Sequence, residues 1–318
     1  MARNAPERWG LTRLARDGPY RRMGNMEKHP AVRTVFAPYD SGHRGFRMGA
    51  GPGHLWENGL PQMLRSENRP SLAFVDVLPE VDPPAEVAVA FELDRLVSEQ
   101  VWEAVAEGES PLVLSGNCNT SIGTLAGVGP EGLVVWFDAH ADFNTPETTT
   151  TGFMDGMGLA IAVGHCWKRM AEGVPGFFAV EEENAVLAGA RALELPEEER
   201  LGASGVAVVG ADRIRREGLR ALAVVLDGLR ERVGRIYVHL DLDVLDPAEV
   251  GRANGSAPEG GLTAEDLETA LGMVRERFSV AAAGIASYDP SFDADGRVLA
   301  AALMCVGILA ASDASRAR

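Results

Sequence analysis

Cysteines and long apolar runs are scarce in this chain of 318 residues, and each scarcity excludes a class of protein. The three cysteines are too few and too scattered for a disulfide framework, so we expect a reducing, cytoplasmic compartment. No apolar run reaches the ~18–20 residues that a membrane-spanning helix needs. The N-terminus also lacks the apolar segment of a secretory signal.

Basic residues are outnumbered as well, since 30 Lys and Arg residues stand against 46 Asp and Glu residues. The resulting net charge of −16 argues against broad binding to nucleic acid or to an anionic membrane. It leaves room for metal ions and cationic small molecules as ligands. The hydrophobic fraction of 46% and the charged fraction of 24% are typical of a globular protein.

The first 31 residues differ from the rest because they carry six arginines and little hydrophobic periodicity. We expect a flexible extension here, or a start assigned upstream of Met23 or Met26, and a basic arm for anionic partners is the other interpretation. No low-complexity linker divides residues 32–318, which we expect to form a single α/β domain.

Short apolar runs separated by helical patterns predict the fold class. We predict strands at Arg33–Ala37, Leu72–Val77, Leu112–Leu114, Leu133–Phe137, Gly205–Val209, Arg235–Leu240 and Ala281–Ile285. Most of these runs are almost continuously apolar, which indicates strands covered on both faces, as in a parallel sheet. We predict helices at Ala88–Glu107, Glu217–Val233 and Ala264–Glu276, the last with Thr263 as its N-cap. The alternation predicts a three-layer α/β/α fold with a mainly parallel sheet.

Polar residues directly follow several predicted strands, and the carboxyl ends of parallel strands meet at one edge of a sheet. Asp138, His140 and Asp142 alternate after one strand, and Asp241 and Asp243 alternate after another. Such crowded carboxylates would repel one another unless cations neutralise them, whereas a lone D-x-H-x-D could be a solvated turn. Oxygen ligands with an imidazole suit divalent metals such as Mn²⁺. Two ions about 3.5–4 Å apart would let a bridging water act as nucleophile near neutral pH.

The chain resembles the ureohydrolase family of arginase, agmatinase and formiminoglutamase in three stretches: VVWFDAHADFNTPETTTTGFMDGM (134–157), HLDLDVLDP (239–247) and PEGGL (258–262). The resemblance implies an arginase-like fold, two Mn²⁺ ions bridged by a hydroxide, and a homo-oligomer (trimer or hexamer). It also implies hydrolysis of a C–N bond in a small guanidino-type substrate.

The resemblance also assigns roles to individual residues. It implies these metal ligands: Asp138 and Asp241 between both metals, Asp142 on the first metal, and His140 and Asp243 on the second. Asp246 would lie behind them and orient them. It implies that three residues bind the substrate: Asn144, Thr151 and Ser256. For Asn144 and Thr151, a loop stabilised by its own side-chain hydrogen bonds is an equally weighted alternative.

The sequence departs from the family pattern at the first metal ligand, where Cys118 stands in place of a histidine. One hypothesis is that Cys118 ligates the first metal as a thiolate, which would tilt that site towards Zn²⁺ or Fe²⁺ and away from Mn²⁺. The other is that Cys118 is a small buried residue and that the first metal binds weakly or not at all.

Three further departures concern the substrate. Arginases carry a proton-shuttling histidine at the position of Asp155; an aspartate can transfer protons when buried or can pair with a guanidinium, although a turn aspartate is also common. Ser287 replaces a glutamate that pairs with the guanidinium in many members. Either Asp289, Asp155 or Glu147 compensates for the lost charge, or the substrate carries a less basic N-hydroxyguanidino group. The contact to the substrate amino group, usually an R-D-x-D pattern, is expected at residues 212–215, where Arg215 replaces the second acid.

We therefore predict a cytoplasmic, metal-dependent hydrolase acting on C–N bonds of linear amidines. A metal-bound hydroxide would attack the guanidino carbon of an arginine-like or N-hydroxyguanidino substrate, with Asp155 as the catalytic proton-transfer group. The alternative from another class is a non-catalytic ligand-binding or regulatory protein with the same fold, for which Cys118 is the main argument. The clustered acids speak against that alternative, because such a cluster is costly without a cation.

Overall fold

The computed structural model describes residues 30–66, 73–79, 85–130 and 133–311. Within these ranges the strands are β1 (Val32–Ala37), β2 (Tyr39–Asp40), β3 (His43–Arg44), β4 (Ala73–Asp76), β5 (Ser110–Ser115), β6 (Leu133–Phe137), β7 (Ala185–Ala188), β8 (Ala207–Val209), β9 (Arg235–Asp241) and β10 (Ser279–Ala286). Eight of them form one sheet in the order β4-β1-β5-β10-β9-β6-β7-β8, and all its neighbouring strands are parallel. The predicted parallel sheet is confirmed, and β2 and β3 form a separate antiparallel pair.

Helices connect most of the strands. The α-helices of the described residues are α1 (Gly51–Glu57), α2 (Leu60–Ser66), α3 (Glu86–Ala106), α4 (Ser121–Val128), α5 (Gly158–Ala162), α6 (Lys168–Ala171), α7 (Leu195–Gly202), α8 (Ala211–Glu217), α9 (Arg220–Arg230), α10 (Pro247–Val250), α11 (Ala264–Arg277) and α12 (Arg297–Ala310). Short 3-10 turns lie at Arg47–Ala50, Cys118–Thr120, Asp155–Met157, Glu182–Asn184, Leu242–Val244 and Pro290–Phe292. No described helix is both long and apolar enough to cross a bilayer.

Strand β6 shows how both faces of the sheet are covered. Leu133, Val135 and Phe137 belong to a core cluster with residues of α9, α11 and α12. Val134 and Trp136 point to the other face and belong to a cluster with residues of α4 and α5. Because successive strand residues alternate between faces, an apolar run such as LVVWF requires cover on both sides. The three-layer α/β/α arrangement is therefore confirmed.

Some element boundaries differ from the sequence prediction. The predicted strand at Leu133–Phe137 matches β6, and Thr263 caps α11 in a reciprocal capping box with Asp266. The helix predicted at Glu217–Val233 is confirmed as α9, which is three residues shorter at each end. Helix α8 was not predicted; it ends at Glu217, before Gly218 with its left-handed φ of +67°. Strand β7 was not predicted, since AVLA is short and carries only one β-branched residue.

Two predictions concern the ends of the chain. The expected extension over residues 1–31 falls almost wholly on residues 1–29, which lie outside the described residues. The described part of residues 32–318 contributes to one continuous sheet, and the single-domain assignment stays a prediction.

Candidate active site

The candidate active site lies at the carboxyl edge of the four central strands, which are neighbours in the order β5, β10, β9 and β6. Their register pairs Leu114 with Ile285, Ala286 with Asp241, and Leu240 with Phe137. The segments that leave these strands therefore meet, and they bring Cys118 within hydrogen-bonding distance of Ser287, 169 residues away in sequence.

Two groups of potential metal ligands lie at this edge, and Asp138 belongs to both. One group contains Cys118, Asp138 and Asp241, and the other contains Asp138, His140 and Asp243. Within each group, one ligand atom per residue lies within 4.8 Å of the others. The structure thus brings together five of the predicted ligands. A carboxylate shared between two groups is suited to bridge two ions.

The two aspartate motifs fold in the same way. Asp138 Oδ1 accepts a hydrogen bond from the His140 N–H (2.7 Å), and Asp241 Oδ1 accepts one from the Asp243 N–H (2.8 Å). This turn, in which an aspartate caps the N–H two residues later, needs only the local sequence. The indole N–H of Trp136 also donates to Asp138 Oδ2 (3.0 Å). These bonds orient the carboxylates and leave lone pairs for a cation.

The electrostatics of the site favour bound cations. Burial lowers the pKa of His140, but Asp243 (3.2 Å from Nδ1) and Asp138 (3.5 Å) raise that pKa to about 12. Burial raises the pKa of Asp243, whereas the His140 charge and several hydrogen bonds bring it down to about 2. Burial and the charges of Asp243 and Asp138 raise the pKa of Asp241. Divalent ions would relieve this repulsion, so the donor set fits them.

Asp142 provides an independent test of that fit. It has a left-handed backbone (φ +50°), which a residue other than glycine rarely adopts. Its Oδ2 atom is buried and has no hydrogen-bond partner in the described part of the chain. Burial and the charge of Asp138 raise the pKa of its carboxyl. A buried carboxylate oxygen without a donor requires an explanation, and a cation that it ligates supplies one.

Cys118 lies in the wall formed by β5, β9 and β10. Its Sγ atom donates to Asp241 Oδ2 at 3.0 Å and lies 3.4 Å from Ser287 Oγ. Burial and the Asp241 charge raise the pKa of the thiol. Ser287 itself has a left-handed backbone with φ +64°. The sulfur thus contacts a carboxylate and a hydroxyl. This position is compatible with a thiolate that ligates the first metal and also with a small buried residue.

Asp155 is buried at the edge of the same cleft. Its Oδ2 accepts a hydrogen bond from Asn117 Nδ2 (2.8 Å), and its Oδ1 accepts one from the Asn119 N–H (3.2 Å). Burial raises its pKa to about 7, although these hydrogen bonds oppose the shift. A carboxyl with a pKa near neutrality can both donate and accept a proton.

The residues around Asp155 form a cleft of about 160 Å³. Apart from Asp138, Asp246 and residues 212–215, the predicted site residues line it, namely Cys118, His140, Asp142, Asn144, Thr151, Asp155, Asp241, Asp243 and Ser256. Among the described residues, neither lysine nor arginine lines the cleft, so it favours positively charged ligands.

The predicted substrate contacts also bind their own loops. Asn144 Oδ1 accepts from the Thr148 hydroxyl (2.8 Å), and Thr151 Oγ1 accepts from the Phe153 N–H (3.2 Å). Ser256 donates its N–H to Asn254 Oδ1 at 2.8 Å. The loop-stabilising and substrate-facing alternatives therefore coexist at Asn144 and Thr151, and their substrate role stays a prediction.

Two parts of the predicted site lie outside the cleft, namely Asp246 and residues 212–215. Asp246 accepts the Ala248 N–H (2.9 Å) as the N-cap of α10, and its predicted role in orienting the ligands stays a prediction. Asp212 and Arg215 pair with each other on α8, with 74% and 58% of their side chains exposed. Neither lines the cleft, so the expectation that residues 212–215 contact the substrate amino group is wrong.

Sequence reasoning missed two acids that do line the cleft, Glu194 and Glu197. Glu194 is the N-cap of α7 and lies 3.5 Å from Asn144 Nδ2, while Glu197 Oε1 accepts the Phe143 N–H (2.9 Å). They form a reciprocal capping box, but with a glutamate in place of the Ser or Thr that marks such a box in a sequence. The local sequence therefore gave no clear signal for them, and strand β7, which precedes them, was not predicted.

Arg191 was also missed, and it anchors the loop that follows β9. Its guanidinium donates to the carbonyl oxygens of Asp243 (2.8 Å), Pro258 (3.0 Å) and Leu245 (3.2 Å), among others. Three of its nitrogens thus satisfy backbone acceptors from distant segments. Arg191 therefore holds Asp243 in place from behind.

Comparisons with known proteins agree with this architecture. The sequence profile of the arginase family matches residues 33–310. The arginase of Bacillus caldovelox is 31% identical over 223 residues, or 69% of this chain and 74% of the relative. The N(omega)-hydroxy-L-arginine amidinohydrolase of Streptomyces lavendulae is 31% identical over 192 residues, or 59% and 65%. The crystal structure of arginase from Bacillus cereus has a TM-score of 0.80 at 26% identity, covering 88% of this chain and 98% of that one.

The fold and the cleft define an α/β enzyme whose site is built from carboxylates at the edge of a parallel sheet. The chain belongs to the arginase family. It is a hydrolase of the kind that acts on C–N bonds in linear amidines.

Proposed function

We propose that the protein is a binuclear metal-dependent amidinohydrolase that cleaves a guanidino C–N bond of an arginine-like or N-hydroxyguanidino substrate. The observation that carries this proposal is the pair of ligand groups that share Asp138 beside a cation-favouring cleft. Cys118, Asp138, Asp142 and Asp241 would hold one ion, and Asp138, His140, Asp241 and Asp243 would hold the other. Divalent ions there would lower the pKa of a water molecule and so supply the nucleophile.

The metal identity follows from the donor atoms. Carboxylates with one imidazole suit Mn²⁺, which is our first choice for the centre. A thiolate ligand at Cys118 makes Zn²⁺ or Fe²⁺ an alternative at that position.

Asp155 is the proposed proton-transfer group for the leaving nitrogen. It is held by two hydrogen-bond donors at the edge of the cleft, and its pKa is raised to about 7 by burial. The raised pKa suits a group that must carry a proton at neutral pH and give it away. Asp155 would protonate the amine that leaves when the C–N bond breaks, and so generate a urea-like product.

The other end of the cleft suits the charged end of an amino acid. Asn144 and Glu194 are neighbours there, with 3.5 Å between the amide nitrogen and a carboxylate oxygen. The carboxylate of Glu194 would pair with the substrate ammonium, and the Asn144 amide and Thr151 would donate to the substrate carboxylate. Ser256 would line the path between the two ends.

Ser287 favours an N-hydroxyguanidino group over a guanidinium. It lies beside Cys118 and contributes a neutral hydroxyl where a cationic guanidinium would gain from a carboxylate. An N-hydroxyguanidine is less basic and needs less negative charge. The identity to an N(omega)-hydroxy-L-arginine amidinohydrolase equals that to an arginase, both at 31%, so this choice rests on Ser287.

We also propose that the protein is cytoplasmic and assembles as a homo-oligomer, a trimer or a hexamer. The three free, buried cysteines support a reducing compartment. Light scattering on the full-length chain tests the assembly, and a monomer at all concentrations would contradict it.

A substrate screen tests the proposed function. The full-length protein, stripped of metal and reconstituted with Mn²⁺, Zn²⁺ or Fe²⁺, is offered arginine, N-hydroxyarginine, agmatine and formimino compounds. We expect the highest kcat/KM for N-hydroxyarginine, with release of hydroxyurea or urea, and no release by an Asp138→Asn control. If no compound yields a urea-type or formamide product with any metal, the proposal is refuted.

A further inference from the structure

His165 lies outside the cleft and joins three segments of the chain. Its Nε2 atom is hydrogen-bonded to Glu182 Oε1, and its Nδ1 atom lies 3.0 Å from Nη2 of Arg200. The ring of Phe143 packs beside it, with 4.9 Å between the ring centroids. These neighbours belong to the turn before β7, to helix α7 and to the segment directly after Asp142.

The two polar partners fix the tautomer of the imidazole. A guanidinium can only donate hydrogen bonds, so Nδ1 of His165 accepts from Arg200. An ionised carboxylate can only accept, so Nε2 carries the proton and donates it to Glu182. Hydrogen bonds from the Gly205 N–H (2.7 Å) and from His165 lower the pKa of Glu182, which keeps it ionised. His165 is therefore a neutral ring that connects an anion to a cation.

Helix α7 has few apolar anchors of its own. It has eight residues, too few for a stable isolated helix, and its buried residues are Glu197 and Leu201. Polar contacts hold both of its ends: Glu197 accepts the Phe143 N–H (2.9 Å) in the first turn, and Arg200 donates to His165 in the last turn. The position of the helix therefore depends on the imidazole.

The other end of α7 carries an acid that lines the cleft. Glu194 is the N-cap of the helix, and its Oε1 atom accepts a hydrogen bond from the Thr150 hydroxyl (3.1 Å). Arg200 follows six residues later, which corresponds to about 9 Å along a helix. Over two turns a helix moves as a unit, so a displacement of the last turn also displaces Glu194.

We propose that His165 is a positioning residue for recognition of the substrate ammonium. Through Arg200 it fixes α7, and α7 fixes the Glu194 carboxylate at the cleft. This inference rests on the ammonium contact of the proposed function and adds the side chain outside the cleft on which that contact depends.

Ornithine binding tests the proposal without turnover, because ornithine has the ammonium and carboxylate of an amino acid but no guanidino carbon. Calorimetry is performed on the full-length protein reconstituted with Mn²⁺. His165→Phe keeps a ring against Phe143 but loses both hydrogen bonds, and we expect its Kd for ornithine to rise about tenfold. His165→Gln can donate to Glu182 and accept from Arg200, and should restore the wild-type Kd.

Two controls separate positioning from a general loss of structure. His43→Phe replaces an exposed histidine outside the cleft and should not change the Kd for ornithine. The ligand δ-aminovalerate is ornithine without its α-ammonium, so its Kd should be equal in the wild type and in His165→Phe. The proposal is overturned by an equal rise for both ligands, by an unchanged Kd for ornithine in His165→Phe, or by a wild type that does not bind ornithine.

The tautomer gives a second measurement, which does not depend on the phenylalanine variant folding. Heteronuclear NMR of the imidazole nitrogens is recorded at neutral pH on the full-length protein loaded with Zn²⁺, and His165→Gln identifies the signals of His165. We expect a proton on Nε2 and none on Nδ1, and a proton on Nδ1 overturns the proposal. If ornithine binding follows the expected pattern but no guanidino compound is hydrolysed, only the proposed function fails.

Discussion

The side-chain amide of Asn117 donates a 2.8 Å hydrogen bond to Asp155 Oδ2 and accepts another of 2.8 Å from the Ser41 N–H. Since a backbone N–H can only donate, Ser41 fixes the amide oxygen on its own side and the NH₂ group towards Asp155. Asn117 therefore orients the carboxyl to which we assign proton transfer.

This geometry predicts how the protein responds when Asn117 and Asp155 are exchanged. Asn117→Asp places two carboxyls against each other and should lower the free energy of unfolding by about 1–3 kcal/mol. Asp155→Asn should lower kcat by about 10²–10⁴-fold, because an amide cannot carry the proton. In the double variant, the amide introduced at position 155 can again donate to the carboxylate introduced at position 117, while the amide oxygen accepts from the Asn119 N–H.

We therefore expect the swap to recover stability in urea denaturation but not kcat. A double variant with nearly wild-type kcat would show that the carboxyl at position 155 is not the proton-transfer group.

Glu194→Gln tests recognition of the substrate ammonium. We expect KM for an amino-acid substrate to rise by roughly tenfold, with little change in kcat, because one charged hydrogen bond is lost. Glu198→Gln is the matched control, since this acid lies in the first turn of the same helix but outside the cleft. Steady-state kinetics of both variants measure the two KM values. An equal KM for the two variants would show that Glu194 does not bind the substrate ammonium.

Arg191→Lys tests the support behind Asp243. Lysine cannot reach the several carbonyl oxygens that the guanidinium satisfies, so we expect a loss of about 1–3 kcal/mol in unfolding free energy and a lower kcat. Arg213→Lys, an exposed arginine paired with Glu217, should leave both quantities unchanged. Similar thermal unfolding and activity in the two variants would contradict the assigned role.

The buried carboxyl of Asp94, which lies outside the candidate active site, should make the stability of the protein depend on pH. Its carboxyl is buried between α3 and α4, where Oδ1 accepts the Gly123 N–H at 3.0 Å, and burial raises its pKa well above 3.8. The folded state therefore binds the proton more tightly than the unfolded state. Its contribution is fully present below about pH 3.8 and is lost as the pH rises through the folded pKa.

The unfolding free energy of the wild type minus that of Asp94→Asn should therefore fall as the pH rises above about 4, by up to about 1.4 kcal/mol per pH unit. Urea denaturation at a series of pH values measures the difference. Ser98→Ala, which removes a buried side chain of α3 that does not ionise, should give a flat difference. A flat line for Asp94→Asn would mean that this carboxyl titrates as it does in water.

The sequence was most informative where local chemistry decides the structure. The apolar run of β6 and the alternating acids after it could be located without coordinates, because the strand period and the aspartate turns are local. The positions of Glu194 and Arg191 could not, since both depend on the short strand β7 and on contacts with segments distant in sequence. Helix α8 was not predicted because its seven residues bury only Ala211 and Ile214, too few to show a helical period.

The number of bound metal ions per chain tests the central claim most directly. The full-length protein is stripped of metal, reconstituted with Mn²⁺ and Zn²⁺, freed of excess ions and analysed by plasma mass spectrometry. The account predicts two ions per chain in the wild type and a clear loss in Asp138→Asn, whose side chain belongs to both ligand groups. A wild-type protein that retains no ion after reconstitution would contradict it.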